Sequence, residues 1–252
     1  MEKFNQQQFS QYRVLQGNQI PAGAISKRFM SGVFLWMFMA LGVSALFAFL
    51  FAANADLSTY VYTITEKGPS LTGIGTLIAL SPLAFVLVMS LGFNKLSANA
   101  LSIIFIVYAA VMGISLSTLA ITYTSGSLLA CFASASAMFG VMAVMGYTTD
   151  KDLTSFGSLM MMGLVGIIIS MMINFFLRSE AFGYLISLFG VAVFLGLTAY
   201  DVQKLKRIGA GVEFDGVGAL ETKKLSVIGA LSLYLDFVNL FLFLLRIFGK
   251  RK

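Results

Sequence analysis

The chain has 252 residues, of which 58% are hydrophobic and only 11% are charged. Soluble domains carry charge on about a quarter of their residues, so this composition predicts a membrane protein. The net charge of +6 comes from bases in tails and loops, not from a basic stripe, and it does not indicate nucleic-acid binding. The chain contains no His, which excludes His-ligated metals and Ser-His or Cys-His catalysis. Any proton chemistry must therefore use carboxylates.

Seven apolar runs follow one another along the chain, each near the roughly 20 residues that a helix needs to cross a bilayer. They are Phe29–Ala53, Ser70–Phe93, Leu96–Ile121, Ser127–Tyr147, Phe156–Leu177, Ala181–Tyr200 and Leu225–Phe248. The connections are short, except for a long late segment from Asp201 to Lys224. We therefore predict an all-α, seven-helix transmembrane bundle in a single domain over residues 29–249, between a polar tail (1–28) and a basic tail (250–252).

The basic residues predict the orientation of the bundle. If all seven runs cross, 11 of the 17 Lys and Arg lie on the side of the N-terminus. Because Lys and Arg are enriched in cytoplasmic loops, we expect a cytoplasmic N-terminus in a multi-pass integral membrane protein. The basic C-terminal residues would then lie on the opposite side, so the charge pattern leaves open whether the last run crosses completely.

Two of the 11 acidic residues lie within an apolar run or directly at its end, and the other nine lie in tails or loops. Asp236 occupies the middle of the last run, and Asp201 follows the sixth run directly. An ionised carboxylate at membrane depth costs on the order of 3 kcal/mol, so such residues tend to serve a function. If the sixth helix continues to about Ile208, the two carboxylates can meet in the cytoplasmic half of the bundle.

Helical spacing places Asp236 on a defined face of the last helix. Gly229, Ser232, Asp236, Asn239 and Phe243 recur at intervals of three and four residues, which puts them on one stripe that should face protein. The pair could simply bond helix backbones together. A functional pair permits three chemistries: sharing a proton, binding a hard cation such as calcium transiently, or activating water for peptide hydrolysis.

The segment Gly229-Ala230-Leu231-Ser232-Leu233-Tyr234-Leu235-Asp236-Phe237-Val238-Asn239-Leu240-Phe241 closely resembles the C-terminal signature of the Bax inhibitor family of membrane proteins. Tyr200-Asp201-Val202-Gln203 is similar to the sixth-helix motif of that family. The hydrophobic pattern fits from about Phe29 to Gly249. The chain thus resembles a bacterial-type member, for which the inner membrane is the expected location.

The resemblance implies two three-helix layers around a central C-terminal helix and a pH-sensitive calcium leak, with calcium as the transported ion and no cofactor. It also implies that Asp201 and Asp236 form a hydrogen-bonded, proton-sensing pair, supported by Ser232 and Asn239. A basic latch in some members would correspond to Lys95, where Arg would be expected. Because Lys lacks the bidentate fork of Arg, Lys95 could equally be a topology anchor.

Two other function classes are compatible with a pair of aspartates in membrane helices. An intramembrane aspartyl protease also uses two aspartates, but here Asp236 is not part of a Gly-x-Gly-Asp motif, and no Pro-Ala-Leu motif follows. A non-conducting regulator that binds another membrane protein is the second alternative. We therefore expect a lipid-embedded calcium leak that is not an enzyme, with partners limited to the bilayer, calcium and protons unless a membrane-protein partner exists.

Overall fold

The computed structural model describes residues 23–65, 68–93 and 95–252, and within them the chain is almost entirely helical. The long helices are α1 (Ala24–Ala53), α3 (Gly73–Gly92), α4 (Ala98–Leu116), α6 (Ser125–Thr148), α7 (Thr154–Leu177), α8 (Glu180–Phe214) and α9 (Ala219–Phe248). Two short helices, α2 (Ala55–Val61) and α5 (Leu119–Thr122), lie in connections. Seven helices in this part of the chain are long and apolar enough to cross a membrane, which confirms the predicted fold class.

The helix starts explain why the spans separate where they do. Hydroxyl side chains of Thr72, Ser97, Thr124 and Ser179 accept backbone N–H groups at the starts of α3, α4, α6 and α8. Each such cap satisfies one of the unpaired donors at a helix N-terminus. The first span begins at Ala24, five residues before the predicted start, so Lys27 and Arg28 belong to the helix. Most of the predicted polar tail lies outside the described residues.

The connection between α1 and α3 contains more structure than the polar loop suggested by the sequence. After α2, strands β1 (Tyr62–Thr65) and β2 (Gly68–Leu71) form an antiparallel hairpin, with Tyr62 opposite Leu71 and Thr63 opposite Ser70. The hydroxyl of Thr72 also donates to the carbonyl of Tyr60. This compact segment joins two spans and adds the only sheet in the described chain.

The last helix, α9, is the most enclosed of the seven. It packs against α1, α4, α6 and α8, and its buried side chains lie on every face. By contrast, α7 is mostly exposed and packs mainly against α8. A separation into two three-helix layers is not established by these contacts, since α1 also packs directly against α8.

The predicted long connection from Asp201 to Lys224 is wrong. Helix α8 runs to Phe214, so only four residues separate it from α9. Val202, Leu205, Gly209 and Val212 are buried at intervals of three and four residues, while Lys204 and Arg207 are exposed. This extension is amphipathic, and its charged face ended the apolar run although the helix continues.

The C-terminus lies at the opposite end of the bundle from the connection between α8 and α9. At one end, Glu213 near the end of α8 accepts backbone N–H groups of Gly23 and Ser26 at the start of α1. At the other end, the backbone of Lys250 and Lys252 bonds to that of Thr124 and Thr122. The last helix therefore extends from one end of the bundle to the other.

Candidate functional site

The two predicted carboxylates lie on the pair of helices at the centre of the bundle. Asp201 is on α8 and Asp236 is on α9, and these helices pack closely along their length. Small residues permit this approach: a side chain at Gly229 would meet Leu205, and one at Gly190 would meet Phe243. The helices thus bring together two acids that are 35 positions apart in the sequence.

Asp201 is joined to the neighbouring helix by a side-chain hydrogen bond. The hydroxyl of Ser232 on α9 donates to Oδ2 of Asp201 over 2.5 Å, and Asp201 is partly buried. A hydroxyl that donates to a carboxylate stabilises its ionised form and makes a shorter bond than a neutral pair does. Ser232, on the stripe that also carries Asp236, is therefore a direct partner of Asp201.

Asp236 is more deeply enclosed than Asp201, with only 6% of its surface exposed. Its Oδ2 is buried, and no hydrogen-bond partner for it is found among the described residues. The charges of the two carboxyl groups act on each other electrostatically. No hydrogen bond joins the two carboxyl groups among the described residues, and Asp201 accepts instead from the hydroxyl of Ser232.

The other residues of the predicted stripe face protein as expected, but they do not bond to the acids. The side-chain amide of Asn239 donates to the carbonyl of Leu235, in its own helix. Thr198, one turn before Asp201, likewise donates within its helix to the carbonyl of Phe194. Both side chains therefore bond within their own helices.

Lys95 does not bond to the aspartates. It lies in the turn between α3 and α4, is exposed, and within the described residues forms no ion pair or side-chain hydrogen bond. The cation whose charge acts on Asp201 is instead Lys204, one turn further along α8. The latch that the resemblance implied for Lys95 is therefore absent from this conformation.

Sequence reasoning missed a polar cluster beside the site. The amide of Gln203 donates to the carbonyl of Lys151, and its oxygen accepts from the N–H of Leu153 and from Arg207. Arg207 also forms an ion pair with Asp152. Gln203 lies two residues after Asp201, so this cluster fixes the start of α7 to the same part of α8. The signal in the sequence was Gln203 itself, a polar residue on the otherwise buried face of α8.

The acid in this cluster has a perturbed pKa. Hydrogen bonds from Thr154, and then from Arg207, hold the pKa of Asp152 well below its usual range. Asp152 and Arg207 are both largely exposed, so solvent weakens their attraction. The cluster acts as a geometric clamp more than as a large source of stability.

A second buried polar group lies on the opposite face of α9. The hydroxyls of Tyr234 and Ser44 are 2.7 Å apart, and Ser44 also donates to the carbonyl of Ala109. The ring of Tyr108 stands nearly edge-on to that of Tyr234, and its buried hydroxyl has no partner among the described residues. This group links α1, α4 and α9 without involving the aspartates.

The donor set at the aspartates suits a weakly held cation. Among the described residues, no group of three or more Asp, Glu, Cys or His side chains is placed to hold a metal ion. Calcium takes about six to eight oxygen ligands, so two carboxylates would need water, carbonyl or amide oxygens to complete its shell. The two carboxylates alone therefore do not complete a calcium shell.

These features define a multi-pass helical membrane protein with two acids on its central helix pair, and the comparisons with known proteins agree with that class. The family model described as "Inhibitor of apoptosis-promoting Bax1" matches residues 26–252. The inner membrane protein YbhL of Escherichia coli (strain K12) is 42% identical over 89% of this chain and 92% of its own length. A protein of Rickettsia prowazekii, RP147, is 40% identical over 90% of this chain and 91% of its own length.

The chain therefore belongs to the Bax inhibitor family. Its apolar helices and its likeness to an inner membrane protein make it an integral, multi-pass membrane protein.

Proposed function

We propose that this protein is a pH-sensitive calcium leak channel in which Asp201 and Asp236 sense protons and contact the passing ion. The observation that carries the proposal is the unpartnered, buried carboxyl oxygen of Asp236 within electrostatic range of Asp201. A buried polar atom without a partner costs about 1–3 kcal/mol, so a purely structural role gives no reason to retain it. A proton or a cation at the pair would satisfy it.

The proposed gate is the contact between α8 and α9. When Asp201 is ionised, the hydroxyl of Ser232 makes a charge-assisted hydrogen bond that joins the two helices. Protonation of Asp201 reduces this to a neutral hydrogen bond of roughly half the strength. Acidification should therefore loosen the helix pair and increase the leak. In this mechanism the hydrogen bond from Ser232 holds the helices closed, which is the latch role that the resemblance implied for Lys95.

A weak, two-carboxylate site suits conduction, because an ion must leave as readily as it enters. We further propose that the N-terminus is cytoplasmic, because cytoplasmic loops are enriched in Lys and Arg. If all seven helices cross, the bases on the side of the N-terminus include Lys27, Arg28, Lys95, Lys151 and the basic residues toward the end of α8 and at the start of α9. The C-terminus would then lie on the outer side.

Calcium flux through the purified protein in liposomes tests the proposal. Asp201→Asn and Asp236→Asn should each change the flux or flatten its dependence on pH between about 5 and 8, because each removes one proton-binding group from the coupled pair. Asp215→Asn, which removes an exposed acid at the end of α8, is the matched control and should behave like the parent. Flux that is identical in both variants at every pH would refute the role of the pair. If the parent conducts no calcium, the protein is a non-conducting regulator instead.

A further inference from the structure

A large apolar groove opens on the side of the bundle, away from the aspartates. It lies between α1 and α6, and its floor is formed by Phe237, Val238 and Phe241 of α9. Its volume is about 720 Å³. Both α1 and α6 pack against α9 but not closely against each other, and the groove lies between them. Leu116 at the end of α4 and Leu119 of α5 also line it.

The depth of the groove matches one leaflet of a bilayer. Along α1, its wall extends from Leu41 to Ala53 at the end of the helix. Twelve residues of helix at about 1.5 Å each span roughly 18 Å. The hydrocarbon core is about 30 Å thick, so the groove extends from the end of the bundle to near the middle of the membrane.

The shape of the groove follows from its side chains. On α1, the small residues Ala45, Ala48 and Ala52 line the wall and leave the space open. The large residues at its edges remain exposed: Phe49 is 69% exposed and Leu129 is 72% exposed. The groove is therefore a slot that is open sideways to the surroundings of the helices, which for a membrane span are lipid chains.

Positive charge lies at the end of the groove, not along it. Lys252 lines the groove where α1 and α6 reach the end of the bundle, and Lys250 and Arg251 are next to it. None of these three bases forms an ion pair with another described residue. The ammonium group of Lys252 donates to the carbonyl of Ala120, which uses one of its three donors.

We propose that this groove binds the acyl chain of an anionic phospholipid from the leaflet at the C-terminal end, with the lipid phosphate at Lys252. The apolar slot has the depth of one leaflet, and the unpaired cations lie where the phosphate would be. A zwitterionic lipid such as phosphatidylcholine also fits the slot and carries a phosphate, but its cationic choline group would lie beside the same bases and weaken their attraction. The site is separate from the aspartate pair and does not depend on the proposed function.

The test uses tryptophan fluorescence, because the chain has a single Trp. A full-length protein carrying Trp36→Phe and Phe132→Trp reports from the edge of the groove, since Phe132 lines it. The protein is reconstituted in vesicles of phosphatidylcholine that contain increasing fractions of acyl-brominated phosphatidylglycerol or, separately, acyl-brominated phosphatidylcholine. Bromine quenches tryptophan only on close contact.

We expect brominated phosphatidylglycerol to quench the reporter at a several-fold lower mole fraction than brominated phosphatidylcholine. Adding Ala48→Phe, or Ala52→Leu as a second filling variant, should abolish that difference. Lys252→Gln should remove the headgroup preference and keep the quenching by both lipids. The matched control is Ala137→Phe, the same change at an exposed alanine of α6 that does not line the groove, and it should keep the parent's preference.

Three results would overturn the proposal. Equal quenching by both lipids in the unfilled protein would exclude an anionic lipid site. A preference that persists in both filling variants, with helicity and monodisperse elution intact, would exclude the groove as its location. A filling variant that converts a dimer into a monomer would show that a second copy of the chain occupies the groove.

Discussion

The hydrogen bond from Ser232 to Asp201 makes a sharp prediction about the pH response. Ser232→Ala removes the hydroxyl that stabilises the ionised carboxylate, while Asp201 and Asp236 both remain. Protonation should then occur at a higher pH, and the pH of half-maximal calcium flux should rise. Because Ser232 reaches across from α9 to α8, the same substitution also removes a contact between the two helices of the proposed gate.

General magnitudes for hydrogen bonds bound the size of this shift. A hydrogen bond to a charged group contributes about 1.5–3 kcal/mol, and 1.36 kcal/mol corresponds to one pH unit. The midpoint of the flux should therefore shift by at most about one to two pH units. Side-chain hydrogen bonds between membrane helices average only about 0.6 kcal/mol, because other partners replace them. We therefore expect a rise of about one unit.

The assay is calcium flux into dye-loaded liposomes, measured from pH 5 to pH 8. Ser226→Ala is the matched control: Ser226 lies on the same helix and donates within it to the carbonyl of Thr222, away from the aspartates. Ser232→Thr keeps the hydroxyl and should keep the parent's midpoint. A Ser232→Ala midpoint equal to that of the parent would refute the reasoning, whatever Asp236→Asn does.

Three further predictions follow from contacts outside the gate. Tyr234→Phe removes the buried hydrogen bond to Ser44 and should lower the free energy of unfolding by about 0.6–1.7 kcal/mol. Tyr108→Phe deletes a hydroxyl that has no partner among the described residues, so it should leave the free energy of unfolding unchanged or raise it. Denaturation of both variants in mixed micelles measures the difference. Arg207→Gln removes one of the donors that lower the pKa of Asp152, so that pKa should rise toward about 3.9 in a carbon-detected NMR titration. In the parent, the stability that the bonds to Asp152 contribute is complete above the usual Asp pKa and is lost as the pH falls through the lowered pKa of Asp152. An unchanged pKa of Asp152 in Arg207→Gln would contradict the assignment. Reporter fusions at the two termini should report opposite sides of the membrane, and a shared side would mean that the last helix does not cross.

Lys95→Ala tests the latch that is absent from this conformation. Because Lys95 is exposed and unpaired among the described residues, Lys95→Ala should keep the parent's pH profile. A profile that flattens in this variant would show that Lys95 reaches the aspartates in a conformation other than the one described here.

The sequence alone determined the class of fold and singled out the two acids of the proposed site. Backbone groups in lipid must be satisfied within each span, so a long apolar run can only be a helix, and seven such runs give seven spans. The same reasoning singled out Asp201 and Asp236, because a carboxylate at membrane depth is costly wherever it lies. Helical periodicity also predicted that Ser232 and Asn239 share the face of Asp236, and that this face is turned toward protein.

Only the tertiary structure decided which of these residues touch. Periodicity fixes the face of a helix but not how far one helix is shifted along its neighbour, and that shift brings the hydroxyl of Ser232 into hydrogen-bond contact with Asp201. The extension of α8 to Phe214 depends on burial of Leu205 and Val212 by other helices, which hydropathy along the chain does not record. The contact of Gln203 with Lys151 joins residues 52 positions apart, so it exists only because packing brings α7 beside α8.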